Sequence, residues 1–396
     1  MKSCIAVPEI LLPRDHTEME KWAVIACDQH TSDPAYWEKL EKKIAGSPST
    51  LYLTLPEIYL DHPDCERRIR DICSTLRSYL EKGLFTKLPR GFILVTRKTN
   101  VSAPRTGIVL AVDLEEYSFL PGSKTLIRAS EATILERIPP RLKIREKVSV
   151  EFPHIMLLYN DPQDTVLGPL KREALPVLYD FTLNMGGGSV CGKFVSNTQE
   201  VIDRFTSLIK DGLLFMVGDG NHSLATAKAS WEKIKASLSE EEQATHPARF
   251  ALCEAVNLYE EGLNVEAIHR VVKGVDVQTF LKEFKTEGAG QGTLYIGGKG
   301  KKISLPASVP HAVEEVDLQI AAFLEKHGGS VDYIHGESAL CKLTAEHEED
   351  VGIALPKMDK SEMFAYVAQN GSLPRKTFSL GESEEKRYYI EGKEIR

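Results

Sequence analysis

The sequence predicts an α/β protein of the α+β kind, with a larger N-terminal region and a smaller C-terminal one. Three observations lead there. Segments with apolar residues three and four apart interleave with short apolar runs bounded by turn residues. The apolar share of 42% and charged share of 27% are those of a chain that buries a core and wets a surface. No stretch approaches the roughly eighteen uninterrupted apolar residues of a membrane-spanning helix.

Taken in order, residues 33–45 read as a helix opened by Asp33-Pro34, with Trp37, Leu40 and Ile44 on one side. Residues 65–82 read as a longer helix, with Ile69, Ile72, Leu76 and Leu80 inward and Gly83 as its stop. Strands are expected over 91–96 and 107–113, around a Ser-Ala-Pro-Arg-Thr turn, and over 155–159, ended by Asn160-Asp161-Pro162. A helix over 198–210 takes Thr198 as its cap and turns Val201, Ile202, Phe205 and Leu208 inward. The apolar run 213–217 reads as a buried strand, and Leu224, Ala227, Trp231, Ile234 and Leu238 then mark one face of a helix.

Past His269-Arg270 the texture changes. Residues 294–296 and 303–305 read as a hairpin around Gly297-Gly298-Lys299-Gly300, and 314–326 as a helix stopping at Gly328-Gly329. The expected division is therefore 1–272 and 273–396, the second region ending in an ordered tail that carries Phe378, Tyr388 and Tyr389.

A formal charge of -8 and a pI near 5.9 argue against a protein that coats nucleic acid or an anionic membrane. The seven cysteines form no C-x-x-C pair, so reduced thiols in a cytoplasmic setting are expected. The N-terminal stretch is broken by Pro8, Glu9 and Pro13 and does not read as a signal peptide. Asp28, His30, His154, His222 and His269 are scattered, without metal-ligand spacing, so no transition-metal site is expected. There is no G-x-S-x-G serine-hydrolase elbow.

Chemistry is most readily placed at the strand–turn–helix unit. Gly218 and Gly220 let backbone approach an anion with no Cβ in the way, and a following helix start favours phosphate. Asn221 and Ser223 can cap the helix or donate to phosphate oxygens. His222 can donate to a transferring phosphoryl group, and Asp219 can hold magnesium or act as base. The plainer alternative is that Asn221 or Ser223 is an N-cap and His222 a satisfied loop side chain.

A second glycine stretch, Gly187 to Phe194, fits G-x-x-x-x-G-K but has Phe194 where a P-loop needs Ser or Thr. It reads as a glycine turn entering a strand. A third cluster runs Arg128-Ala129-Ser130-Glu131-Ala132-Thr133, then Glu136, Arg137, Arg141, Lys143 and Arg145. Arg128 can pair with phosphate oxygens and Glu131 can take a proton from a substrate hydroxyl. The alternative is a solvated helix of mutually paired charges.

The phrases Ala26-Cys27-Asp28-Gln29-His30-Thr31-Ser32, Arg128-Ala129-Ser130-Glu131, Gly218-Asp219-Gly220-Asn221-His222-Ser223 and Leu373-Pro374-Arg375-Lys376-Thr377 resemble the family catalogued as domain of unknown function 1015. Similar phrases are spread over nearly the whole chain. That family in turn resembles the ParB/sulfiredoxin-like superfamily, whose Asp-Gly-His-His-Arg type of turn contacts nucleotide phosphates at a helix start. The superfamily includes ATP-using sulfiredoxins, CTP-binding partition proteins and kinases of free serine.

The resemblance implies a ParB/sulfiredoxin-like core and a nucleotide-dependent phosphotransferase using ATP with Mg²⁺ on a small hydroxylated metabolite, free serine leading. On this reading Asp219 and His222 lie at the transferring phosphate, with Gly220 and Asn221 in the cradle. Ser223 stands where many relatives carry Arg, a charge Arg128 can replace. The alternatives are a nucleotide-responsive regulatory protein of the partition kind, and a phosphate-binding metabolic enzyme that uses no nucleotide.

Overall fold

The computed structural model describes residues 3–120, 122–131 and 138–396, and it is a mixed α/β protein. The described residues divide into two compact units. The first comprises residues up to Leu263 together with Glu382–Arg396, and the second Asn264–Gly381. Among the described residues no helix is long and apolar enough to cross a membrane.

The first unit is organised by a mixed sheet. Its strands run Val177–Thr182, Ser189–Val195, Phe92–Lys98, Arg105–Asp113, Phe250–Asn257, Met156–Tyr159, Phe215–Asp219, Ile127–Ala129, Tyr117–Ser118. Phe250–Asn257 pairs in parallel with Met156–Tyr159, and Phe215–Asp219 in parallel with Ile127–Ala129. Side-chain alternation explains why both faces need cover. Phe92, Leu94, Ile108 and Leu110 enter a core with Tyr159, Phe205, Phe215 and Trp231. Their neighbours Ile93, Val95 and Val109 enter the opposite core, with Trp37, Leu40, Tyr388 and Tyr389. Arg105–Asp113 is buried at every position.

The segment resembling a P-loop begins in the turn after Val177–Thr182, at Gly187 and Gly188, and runs on into the strand Ser189–Val195. Gly188 has φ +77°, and a Cβ there would overlap the Lys98 carbonyl oxygen, so the glycine serves strand packing.

The C-terminal tail returns to the first unit. Tyr388–Tyr389 pairs with Val24–Ile25, and the Trp22 indole donates to the Ile390 carbonyl at 3.0 Å. Arg97 donates to the carbonyls of Glu384 and Lys386, at 2.8 and 3.1 Å. Buried Arg387 binds Glu254 and Glu391 at 2.8 and 2.7 Å.

The second unit is a sheet ordered Lys299–Leu305, Gly290–Ile296, Val351–Ala354, Val265–Lys273, Ser330–His335, with Phe378–Leu380 also on Val265–Lys273. The glycine pair Gly297-Gly298, both at positive φ, makes the expected hairpin turn. Arg270 is fully buried and binds Asp317 through Nε and Nη2, both at 2.7 Å. The sequence break near 273 falls at the end of a strand that pairs within this unit, so the division lies earlier, and the tail that the sequence assigned to 273–396 leaves it.

Candidate functional site

The apolar residues Phe215 to Val217 bury the strand, which leaves the sheet at Asp219. Gly220 turns the chain with φ 78° and ψ 28°, a left-handed conformation that side chains rarely adopt. A Cβ there would lie 3.1 Å from the Ile155 Cα and 3.6 Å from the His154 ring. Gly218 belongs to the strand itself.

The helix that follows, Asn221–Lys235, starts three residues before the first apolar position of its pattern, because the left-handed glycine sets its beginning. Neither Asn221 nor Ser223 acts as a side-chain cap, so the positive end of the helix dipole is not covered by one. Asn221 Nδ2 donates to Ser130 Oγ at 3.3 Å, while its Oδ1 is buried with no hydrogen-bond partner among the described residues. His222 is half-buried, and its carbonyl accepts from Thr226 Oγ1 at 2.7 Å.

Asp219 is fixed from two sides. Its Oδ1 accepts the Gly220 N–H at 2.9 Å, and its Oδ2 lies 3.2 Å from Lys386 Nζ. Beside it is a group that the sequence did not bring together. His154, buried next to Gly220, has Nε2 3.5 Å from Asp28 Oδ2 and Nδ1 2.8 Å from the Tyr389 hydroxyl. That hydroxyl also accepts the Cys27 N–H at 3.1 Å, and Gln29 donates to Asp28 Oδ1 at 3.0 Å.

Burial opposes charge on both members of the Asp28–His154 pair, yet each holds the other charged. Asp28 is kept well below the usual carboxylate range. His154 is raised above its ordinary value by Asp28, with Asp219 adding to the effect. Burial and the adjacent Asp28 push the Cys27 thiol up to about 12, so it is no nucleophile. Among the described residues no three His, Cys, Asp or Glu side chains form a metal-binding group.

The pair makes stability depend on pH. The raised His154 contributes fully below roughly pH 6.5, and its contribution is lost as pH rises through the folded-state value. The depressed Asp28 contributes above roughly pH 3.9 and is lost as pH falls through its own folded value. The stabilisation is therefore greatest at mildly acid pH. Urea unfolding at about pH 6 and about pH 8.5 should show a larger loss for the wild type than for Asp28→Asn. Equal losses would show the pair to be uncoupled.

The third charged cluster is dispersed. Arg128 is buried, and its guanidinium donates to the carbonyls of Thr125 and Gly212 at 3.0 and 3.3 Å, where its strand and Phe215–Asp219 begin. The structure does not bring it to the turn at the far end of those strands. Among the described residues, Lys386 is a cation that stands there. Glu131 is half-buried, one residue beyond Ser130. Ala132, Thr133, Glu136 and Arg137 lie outside the described residues. Arg141 pairs with Glu57, Lys143 with Glu66 at 2.6 Å, and Arg145 with Glu151 at 2.6 Å.

His154, Arg141, Arg145, Ser223 and Thr226 line one cavity of about 150 Å³ beside the turn. The arrangement combines an anion-favouring helix start, a lysine, and a buried carboxylate–imidazole pair able to hold or pass a proton.

No curated protein matches the chain. Among solved structures it is similar to SbnI with a C-terminal truncation from Staphylococcus aureus, at 12% identity over 71% of this chain and 85% of that one, TM-score 0.39. It is similar to a free serine kinase in complex with AMP, at 10% identity over 76% and 95% of the two chains, TM-score 0.41. A conserved hypothetical protein from Pyrococcus furiosus matches at 11% identity over 73% and 95%, TM-score 0.36. The family described as protein of unknown function (DUF1015) matches residues 11–372, and the chain belongs to that family.

Proposed function

We propose that this chain is a nucleotide-dependent phosphotransferase acting on a small hydroxylated metabolite, with ATP as phosphoryl donor, ADP as the leaving group and Mg²⁺ to offset the phosphate charge. The observation that carries this reading is the start of Asn221–Lys235, without a side-chain cap, beside the Asp219–Lys386 and Asp28–His154 pairs. The resemblance of the Asp-Gly-Asn-His turn to nucleotide-contacting turns supports it.

The helix start and Lys386 offset phosphate charge, and His222 donates to phosphoryl oxygens. The donor set fits magnesium, a hard cation that takes one or two carboxylates and completes its shell with phosphate oxygens and water; Asp219 would hold it. The acceptor hydroxyl gives up its proton to the Asp28–His154 pair when His154 is neutral, above its raised pKa, with Glu131 the alternative base. Catalysis is then positioning and charge stabilisation. Free serine is one acceptor of this class.

A thermal-shift panel with ATP, ADP, CTP, GTP and inorganic phosphate, each with and without magnesium, tests the reading. ATP with magnesium should raise the melting temperature, corresponding to about 2.7 kcal/mol at a hundred times Kd, and His222→Ala should lose the rise. If no nucleotide shifts the protein and inorganic phosphate does, the site binds an anion without a nucleotide and the proposal fails.

A further inference from the structure

A second and larger cavity, of about 610 Å³, lies in the first unit, walled by the helix Pro34–Ile44 and the glycine turn before Ser189–Val195. That volume is in the range of small-molecule sites, and a bare phosphate or a serine-sized acceptor would leave most of it to water.

Two features of its wall are unusual. Among the described residues, five that are not glycine hold a positive φ, and two of them, His30 at 51° and Met185 at 53°, line this cavity. Methionine rarely adopts that conformation, so the surrounding structure imposes it, a form of strain that collects at binding sites. The His30 carbonyl accepts the Trp37 indole N–H and the Asp33 N–H, both at 3.2 Å. Asn184, next to Met185, donates from Nδ2 to the Glu20 and Ala23 carbonyls at 2.6 and 2.7 Å, and its own carbonyl accepts the Tyr388 hydroxyl at 3.0 Å.

The second feature is a ring held in place. His30 lies flat on Tyr36, with ring centroids 3.7 Å apart and planes 9° from parallel. Burial pushes the His30 imidazole below its ordinary value, so the ring is uncharged at neutral pH. A fixed, neutral, half-buried ring beside a thioether suits a flat heterocycle better than a phosphate. On the same wall, exposed Lys39 offers a donor and exposed Glu384 an acceptor, the mixture with which ribose hydroxyls pair.

Position ties this cavity to the turn. Asp28, the partner of His154, stands two residues from His30, and Lys386, the partner of Asp219, stands two residues from Glu384. Two residues of chain span at most about 7 Å, so each pair lies a short step from the cavity wall, the order of the reach from a nucleotide's phosphates to its base.

We propose that this cavity takes the base and ribose of a nucleotide, the base lying against His30 and Met185 and the ribose toward Lys39 and Glu384. Placing the phosphates at the helix start rests on the function proposed above; the nucleoside cavity has its own test.

Calorimetry on the full-length protein at fixed magnesium compares ATP, inorganic tripolyphosphate and adenosine. ATP should bind at least about tenfold tighter than tripolyphosphate, the scale of one stacked base. His30→Asn removes the ring but keeps a residue that tolerates positive φ; it should cut the preference to under about threefold and leave tripolyphosphate affinity unchanged. Met185→Gly, at ease with φ 53°, should lower the preference in the same direction and serves if His30→Asn fails to fold. Equal affinity for ATP and tripolyphosphate, or a preference that the folded variants keep, would overturn the cavity assignment and leave the helix start standing. Adenosine binding that His30→Asn abolishes, without tripolyphosphate binding, would keep the cavity and retire the phosphate reading. If none of the three probes binds, both fail.

Discussion

Replacing Asp219 with asparagine is expected to lower phosphoryl transfer by about a hundredfold or more, the usual scale for losing a positioned acid–base or charge-stabilising group, while the protein stays folded. The side chain is 16% exposed and placed by two contacts that the substitution separates. Asparagine keeps an oxygen for the Gly220 N–H, so the left-handed turn survives. It loses the charge that pairs with Lys386, that contributes to the raised pKa of His154, and that would hold magnesium. The loss should appear in kcat more than in nucleotide affinity, because the helix start remains. The pH–rate profile should move as well, its His154 limb shifting toward lower pH once one of the two supporting carboxylates is gone. Steady-state assays across pH, with circular dichroism to confirm the fold, check this. An unchanged rate would remove Asp219 from the reaction.

The part of this site that lies in one stretch of chain was legible in the sequence. An apolar strand, a glycine turn and a three-and-four apolar spacing identify Phe215–Asp219 and Asn221–Lys235, and the structure moves only their ends. The glycine that moves them is Gly220, whose left-handed φ is invisible to periodicity. The pair at its side was not legible. Asp28 and His154 read as isolated residues because tertiary pairing joins them, and Tyr389 reaches His154 across 235 residues of sequence. The tail reads as ordered, but nothing in the polar run 382–387 says where it docks; Arg97 and Arg387 anchor it and so deliver Lys386 to Asp219.

Arg387→Met is expected to destabilise the first unit by about 3–5 kcal/mol, the range for removing one partner of a buried ion pair. Arg387 lies between Glu254 Oε2 at 2.8 Å and Glu391 Oε2 at 2.7 Å, with all three side chains at most 6% exposed. Methionine fills much of the volume, so most of the cost is two carboxylates left buried without a cation. Restoring neutrality separates this from a packing defect: adding Glu254→Gln and Glu391→Gln to Arg387→Met should recover a large part of the loss, because the three residues form one network and their effects do not add. A full network deletion that is no better than Arg387→Met alone would assign the cost to shape. Urea unfolding measures the difference, and a loss under about 1 kcal/mol for the single variant would show the pair to be as weak as a surface one. The consequence reaches the site, since Lys386 and Tyr388–Tyr389 flank Arg387 on the same tail. Loosening that tail weakens the Asp219 ion pair and the His154 hydroxyl contact together, so nucleotide-induced stabilisation should fall in Arg387→Met although the residue touches neither.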